Sequence, residues 1–396
     1  MGKDKPMTLA DHMNARVKAL APSDILEFNK EIAGIEGIVK LTLGEPDFFT
    51  PEHVKQAGIQ AIQDNHSHYT ESRGMPSLRK AAADYLHAKY GLDYDPDSQM
   101  VITAGATGGI FSGLTAMINP GDTVILPTPI FPLYIPIAQL SGAKTVFVDT
   151  SDDGFILRPD KLEAAIENSD GPVKALVLNY PTNPTGVTYA REDLEALAQV
   201  ARKHGFFVLS DEIYAELTYQ GTHVSMGTIL PEQTVVLGGV SKSHAMTGWR
   251  VGIAAGPADV IDQISKVNEF SITSVTTNAQ YAAQEALTKG MNDTDPMREA
   301  YRKRRDYLVK ALPEVGLDVI DPKGAFYIFA RLPEGMRDSW SFVYDLARKA
   351  KVAVIPGASF GPGGEGYVRI SYAASMEDLH TAVERIGDYM RAQNRG

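Results

Sequence analysis

Between residues 100 and 254 lie seven short runs that are apolar almost throughout: 100–103, 123–126, 145–148, 175–178, 206–209, 234–237 and 251–254. A strand with one face in water alternates apolar and polar residues, whereas a run without alternation belongs to a sheet covered on both faces. Apolar residues at helical spacing occupy stretches before and between these runs, near 52–63, 76–89, 106–118, 159–168 and 190–204. The alternation predicts an α/β fold on a mostly parallel seven-stranded sheet covered by helices. After about 257 the pattern is helical to about 312. Then 316–319, 325–330, 352–354 and 367–371 read as a smaller, partly antiparallel sheet, with helices near 340–350 and 375–391. A chain of 396 residues exceeds the length at which a single core usually divides. The expected division is a large domain over 51–290 and a smaller α+β domain formed by 1–50 together with 291–396.

Composition excludes several classes of function. The net charge of −11, from 38 basic and 49 acidic residues, opposes nucleic acid or an anionic membrane as a partner. Cysteine is absent, which removes disulfides, thiolate catalysis and cysteine metal sites. The nine histidines show no paired spacing, so no metal site is expected. The start, Met1-Gly2-Lys3-Asp4-Lys5-Pro6, leads into no apolar segment of signal type, and no run reaches membrane-spanning length. A soluble cytoplasmic protein is the expectation.

In open parallel sheets ligands bind beyond the carboxyl ends of the strands, so the residues that follow each apolar run carry the functional information. Lys242 follows the run 234–237 and two glycines, with Ser241 before it and Arg250 eight positions on. Lysine avoids burial unless it is paired or chemically engaged. One such engagement is a Schiff base to an aldehyde, in which a desolvated amine becomes a nucleophile. The small residues of Thr103-Ala104-Gly105-Ala106-Thr107-Gly108-Gly109 let backbone N–H groups meet an anion at a helix start, or make an ordinary strand-to-helix turn. Ser241 and Arg250 supply a hydroxyl and a guanidinium suited to phosphate. Asp211 follows its strand directly, where a carboxylate can hold the proton of a ring nitrogen or cap a short helix. Asn183, between prolines, and Tyr214 are candidate donors to a phenolate oxygen, and Phe131 is a candidate for stacking on a flat ring. Arg369, on one face of a strand, needs a carboxylate, either from a substrate or from an acidic side chain of the chain itself.

Taken in this order the residues resemble the class I aminotransferases, pyridoxal 5′-phosphate enzymes of fold type I, over nearly the whole chain. The matching segments are Leu43-Gly44-Glu45-Pro46-Asp47-Phe48, Tyr69-Thr70, Gly74-Met75-Pro76-Ser77-Leu78-Arg79 and Asn179-Tyr180-Pro181-Thr182-Asn183-Pro184. Ser210-Asp211-Glu212-Ile213-Tyr214, the lysine segment 241–252, Gly324-Ala325-Phe326-Tyr327 and Val368-Arg369-Ile370-Ser371-Tyr372 complete the set. The resemblance implies that Lys242 bears the cofactor, Asp211 pairs with the pyridine nitrogen, and Asn183 and Tyr214 hold the ring oxygen. It places the phosphate on Ala106, Thr107, Ser241 and Arg250, with Tyr69 reaching across from a second subunit of a homodimer. Arg369 and the Gly44 backbone are implied to bind the substrate carboxylate. The implied activity is ping-pong transamination between an L-amino acid and a 2-oxo acid. Aspartate-specific bacterial relatives carry a lysine where Thr107 stands, and many relatives use Trp or Tyr for the stacking assigned to Phe131. The likeness is greatest to the aromatic amino acid and acyl-diaminopimelate aminotransferases, and an aromatic substrate is favoured. The alternatives are an N-acyl-diaminopimelate substrate in lysine biosynthesis and a carbon–sulfur β-lyase on the same cofactor. A ligand-sensing regulator would need an attached DNA-binding domain.

Overall fold

The seven apolar runs are seven strands of one sheet. In the computed structural model, which describes residues 8–336 and 338–393, they are β2 (Met100–Ala104), β3 (Thr123–Thr128), β4 (Lys144–Asp149), β5 (Val173–Asn179), β6 (Phe207–Asp211), β7 (Thr234–Gly239) and β8 (Val251–Ala255), preceded by the short β1 (Val39–Lys40). The segment Met1–Pro6, read above for leader signals, lies outside the described residues.

The strand order is β2-β8-β7-β6-β5-β3-β4. Every pairing is parallel except the two made by β8. A parallel return needs a crossover of a dozen or more residues. Only residues 240–250 separate β7 from β8, so β8 comes back antiparallel.

Burial explains the missing alternation. Val101 packs with Ile110 and Leu114 on one side of the sheet, while Met100 and Ile102 join Leu78 and Ala282 on the other. Likewise Leu176 and Leu178 meet Leu194 and Leu197, and Val177 faces Leu209 and Leu126.

The carboxyl-terminal part forms an antiparallel sheet in the order β12-β13-β10-β9, from β9 (Asp318–Val319), β10 (Tyr327–Arg331), β12 (Ile355–Pro356) and β13 (Tyr367–Ser371). Its parallel component is a separate ribbon, β1 on β11 (Val352–Ala353). Phe28, Ile32 and Leu41 share one core with Leu308, Phe329, Ile370 and Leu379, so the amino-terminal segment packs with the carboxyl-terminal sheet. Between the two parts the chain has helices Ala258–Ile272, Thr277–Thr288 and Thr294–Glu314, where helical pattern was expected. Helix Tyr134–Leu140 was not foreseen, because it is short and contains Pro136. Among the described residues no helix is long and apolar enough to cross a membrane. No group of three or more metal-ligating side chains occurs among them.

Candidate active site

The carboxyl ends of five strands of the large sheet, together with two strands of the small sheet, β10 and β13, open onto a single cavity of about 430 Å³. Every residue singled out above lines it except Tyr69. Tyr69 is 84% exposed and sits on an outer surface with His66, His68 and Thr276. Its expected role crosses a subunit boundary, which one chain does not contain.

Register places the first group. Asn179 of β5 lies opposite Asp211 of β6. Asn179 Nδ2 donates to the Asp211 carbonyl at 3.1 Å, and its Oδ1 accepts the Asn183 N–H at 3.0 Å. The asparagine-proline loop is thereby tied to the strand end that carries the carboxylate. Asp211 Oδ1 accepts the Ile213 N–H at 3.2 Å, and Oδ2 accepts the Tyr134 hydroxyl at 2.7 Å. The short helical turn that follows begins only at Ala215, with Tyr214 at its cap position, so Asp211 does not cap it. Burial pushes the Asp211 carboxyl up to about 6, although Tyr134, the Ile213 N–H and the charge of Lys242 oppose the rise.

Lys242 comes next. Its Nζ donates to the Gly44 carbonyl at 2.5 Å and lies 5.7 Å from the Tyr214 ring centroid. By surface area the residue is half-buried, because the cavity opens on it, while protein encloses it elsewhere. Desolvation brings its amine down to about 8 against the pull of Glu45 and Asp211, and Arg250 and Arg369 add to the lowering. An amine in that range is a usable nucleophile and base near neutral pH.

The anion cradle has three parts. Helix Gly105–Met117 starts immediately after β2, and no side chain caps it, so the N–H groups of its first turn remain donors at the positive end of the dipole. Arg250 lies against this end, with Nη1 on the Thr247 carbonyl at 2.8 Å and Nη2 on the Ala104 carbonyl at 3.4 Å. Gly105 is required here: its φ is +69°, and a Cβ would sit 2.4 Å from Arg250 Nη2. Ser241, buried, completes the set.

Arg369 lines the same cavity. It is buried in β13, between Phe329 of β10 and Ile355 of β12. Nη1 donates to Asn183 Oδ1 at 2.9 Å and Nη2 to the Thr42 carbonyl at 2.8 Å. The guanidinium stacks 4.6 Å from the Tyr327 ring centroid, and its Nε has no partner among the described residues. No acidic side chain among them pairs with it. The internal salt bridge left open by the sequence is therefore absent. A buried guanidinium held by neutral acceptors keeps its charge for a carboxylate brought from outside.

Comparisons with known proteins give the family. The profile described as "Aminotransferase class I and II" matches residues 36–386. The chain belongs to the class I and II aminotransferases. It is 43% identical to the probable N-acetyl-LL-diaminopimelate aminotransferase of Bacillus subtilis, over 94% of each chain. It is 38% identical to aromatic-amino-acid aminotransferase 2 of Thermococcus litoralis, over 96% of this chain and 97% of the relative. The solved aspartate aminotransferase from Thermus thermophilus with maleate superposes with a TM-score of 0.90 at 39% identity, covering 95% of this chain and 99% of that one.

Aminotransferases of this family use pyridoxal phosphate, and the residues present fit it: an uncapped helix start beside a serine and an arginine, a desolvated lysine, and a carboxylate of raised proton affinity. Sequence reasoning missed Tyr134, Tyr327, Thr42 and Asn29, all of which line the cavity. Tyr134 holds Asp211, and the Tyr327 hydroxyl lies 2.8 Å from that of Tyr214. Tyr327 stood within a matched segment, so a hydroxyl there was a signal that could have been used.

Proposed function

We propose that this aminotransferase moves an amino group from an L-amino acid with an aromatic side chain to a 2-oxo acid, with pyridoxal phosphate held on Lys242. The carrying observation is Arg369, a buried guanidinium with no acidic partner among the described residues, lining the same cavity as a lysine of lowered proton affinity. Arg369 takes the substrate α-carboxylate in a forked pair. The N–H groups of Ala106 and Thr107, with Ser241 and Arg250, hold the phosphate. Asp211 holds the ring-nitrogen proton, Asn183 and Tyr214 donate to the ring oxygen, and Phe131 covers a ring face. With Asn183 Oδ1 occupied by Arg369, its amino group is the end that donates.

The bound cofactor supplies an aldehyde that captures amines and a ring that withdraws electrons from the substrate α-carbon. The protein supplies the proton transfer. Lys242, unprotonated, would take the α-proton at Nζ and return it to the carbon on the far side of the amino nitrogen, while the Gly44 carbonyl orients the amine. The aromatic preference is supported by the rest of the lining. Lys242, Arg250 and Arg369 are the cationic residues that line the cavity, and each is already assigned. Ile25, Leu26, Leu43 and Ile110 offer apolar surface, so among the described residues of one chain a side-chain carboxylate finds no further cation.

The enzyme is proposed to act as a cytoplasmic homodimer in which Tyr69 of one subunit reaches the phosphate of the other. In support, Phe49, Tyr69 and Phe270 leave 93%, 84% and 89% of their surface exposed, large aromatic side chains that a subunit interface would cover. The proposed domain division at 51 and 290 is supported by the shared core of Phe28, Leu41 and Ile370. Borohydride reduction of the holoenzyme followed by peptide mapping tests the core of the reading: pyridoxyl must appear on Lys242. A donor panel with 2-oxoglutarate, including phenylalanine, aspartate and N-acetyl-LL-diaminopimelate, tests the substrate. Higher kcat/KM for either of the last two refutes the aromatic assignment.

A further inference from the structure

Directly behind Asp211 the chain buries a second carboxylate that the proposed chemistry does not use. Successive residues at the end of a strand point to opposite faces, so Glu212 turns away from the cavity as Asp211 turns toward it. The Glu212 N–H still donates to the Leu237 carbonyl at 2.9 Å, extending the ladder to β7. Four donors converge on Oε1: Ser210 Oγ at 2.7 Å, Ser225 Oγ at 3.0 Å, the Tyr180 hydroxyl at 3.1 Å and the Met226 N–H at 3.1 Å. Oε2 lies 2.7 Å from His223 Nε2. The His223 side chain is 1% exposed, stacked on Tyr180 and met edge-on by Tyr90. Its Nδ1 has no partner among the described residues.

That unpartnered nitrogen determines the protonation state. An imidazolium would leave a charged N–H buried without an acceptor, which is far more costly than leaving a bare lone pair. His223 is therefore neutral with its proton on Nε2, and Glu212 remains an anion. A neighbouring cluster, Glu216 with Lys89 and Arg298, is paired within itself and holds the Tyr90 hydroxyl, and no cationic Lys or Arg pairs with Glu212 among the described residues.

The network grips both groups assigned to the cofactor ring. Glu212 is covalently next to Asp211. Through the Tyr180 hydroxyl it also anchors the loop that carries Asn183, whose first residues bond back to the Asp211 carbonyl. We propose that the His223–Glu212 pair is a positioning device for the cofactor ring: an anionic carboxylate, oriented by a neutral imidazole, fixes Asp211 and Asn183 relative to each other and strengthens the hold of Asp211 on the ring-nitrogen proton. The inference rests on the assignment of Asp211 and Asn183 made above. The upward displacement of Asp211 has Glu212 among its contributors, in the direction required.

Two measurements test it. Nitrogen-15 spectra of histidine-labelled wild-type protein, with the signal assigned by its loss in folded His223→Gln, must show a neutral Nε2–H tautomer; an imidazolium or an Nδ1–H tautomer overturns the proposal. Holoenzyme loaded with pyridoxal phosphate labelled at the ring nitrogen is then compared among wild type, Glu212→Gln, His223→Gln and His223→Leu. Glu212→Gln moves the ring nitrogen toward its unprotonated shift and lowers kcat about tenfold or more, while KM for the amino donor stays within about twofold. His223→Gln, which keeps a donor to Oε2, stays within about threefold of wild type, whereas His223→Leu follows Glu212→Gln. A ring-nitrogen shift and kcat unchanged in Glu212→Gln overturn the inference while the assignment of the site stands. Wild-type protein that takes up no cofactor overturns both.

Discussion

Replacing Asp211 by asparagine should stabilise the cofactor-free protein while it disables the enzyme, and pH separates this outcome from ordinary damage. The Asp211 carboxyl is displaced from 3.8 to about 6, chiefly by burial. Below 3.8 the carboxyl is protonated in both folded and unfolded chains, and burial carries no penalty. As pH rises toward 6 the unfolded chain ionises first, so the folded form binds more protons and stability falls. At about 1.4 kcal/mol per tenfold, the penalty is about 3 kcal/mol at pH 8 and about half that at pH 5. Asparagine has nearly the same shape and does not titrate. It keeps an acceptor for the Ile213 N–H, but its amino group faces Tyr134, whose hydroxyl then loses its acceptor, a loss of about 1 kcal/mol. The net expectation for the cofactor-free variant is a gain of about 2 kcal/mol at pH 8, shrinking below about 1 kcal/mol at pH 5. Urea unfolding of both proteins at equal concentration measures this, since subunit association makes stability depend on concentration. With pyridoxal phosphate present the order reverses, because only the carboxylate then gains a charged partner. A variant less stable than wild type at both pH values, or an advantage that does not change with pH, refutes the argument.

Other substitutions address the remaining groups. Lys242→Ala abolishes turnover and leaves cofactor that dialysis removes, whereas wild type retains it; absorbance before and after dialysis shows which holds. In cofactor-free wild type, the rate of cofactor capture rises with pH through about 8, where the Lys242 amine loses its proton; a flat profile contradicts the role of the free amine. Arg369→Ala raises KM for the amino donor about 10- to 100-fold, the worth of a charge-assisted forked pair. Cofactor affinity changes little, so initial rates and a cofactor titration distinguish the two effects. Gly105→Ala drives a methyl group into the Arg250 guanidinium at a left-handed position. It weakens cofactor binding at least tenfold and lowers stability by about 1–3 kcal/mol, measured by titration and thermal melting. Thr107→Lys places a cation in the first turn of the helix at the cavity, and raises kcat/KM for aspartate relative to phenylalanine about tenfold.

The elements legible in the sequence were those whose burial is two-sided or whose chemistry is local. Six strands of the large sheet were recognised because apolar residues on both faces leave no ambiguity of period, and the edge strand β4, where Phe147 is 39% exposed, by its short apolar run alone. Helix Tyr134–Leu140 was not, since seven residues with a proline carry too little pattern to stand out. Lys242, Asp211 and Arg369 were found by their positions at strand ends or on a strand face, together with the family segments around them. Their partners were harder, because contacts made across the fold leave no trace in spacing. Tyr134 reaches Asp211 across 77 positions, and Arg369 reaches the Thr42 carbonyl across 327. The cap reading of Asp211 failed for a related reason: whether Glu212 and Ile213 continue as helix depends on Glu212 remaining in the ladder with Leu237, a tertiary fact.

The charged groups of the cavity share one property, which is that none is matched by the chain itself. Asp211 is an acid held above its ordinary range, Lys242 a base held below its own, and Arg369 a guanidinium supported by carbonyl and amide oxygens alone. In a protein selected only for stability, apolar residues would fill these positions, or the buried charges would at least be drawn into contact with partners. The sheet prevents this, since β6 and β7 fix the first two on separate strand ends and β13 holds the third. The electrostatic energy withheld in the free chain becomes available when a phosphate, a protonated ring and a carboxylate arrive together. A ligand that satisfies one group, such as inorganic phosphate at the helix start, should therefore stabilise the protein far less than cofactor and substrate combined. That excess, read as the rise in melting temperature with each ligand alone and with both, measures how much of the binding energy the fold has kept in reserve.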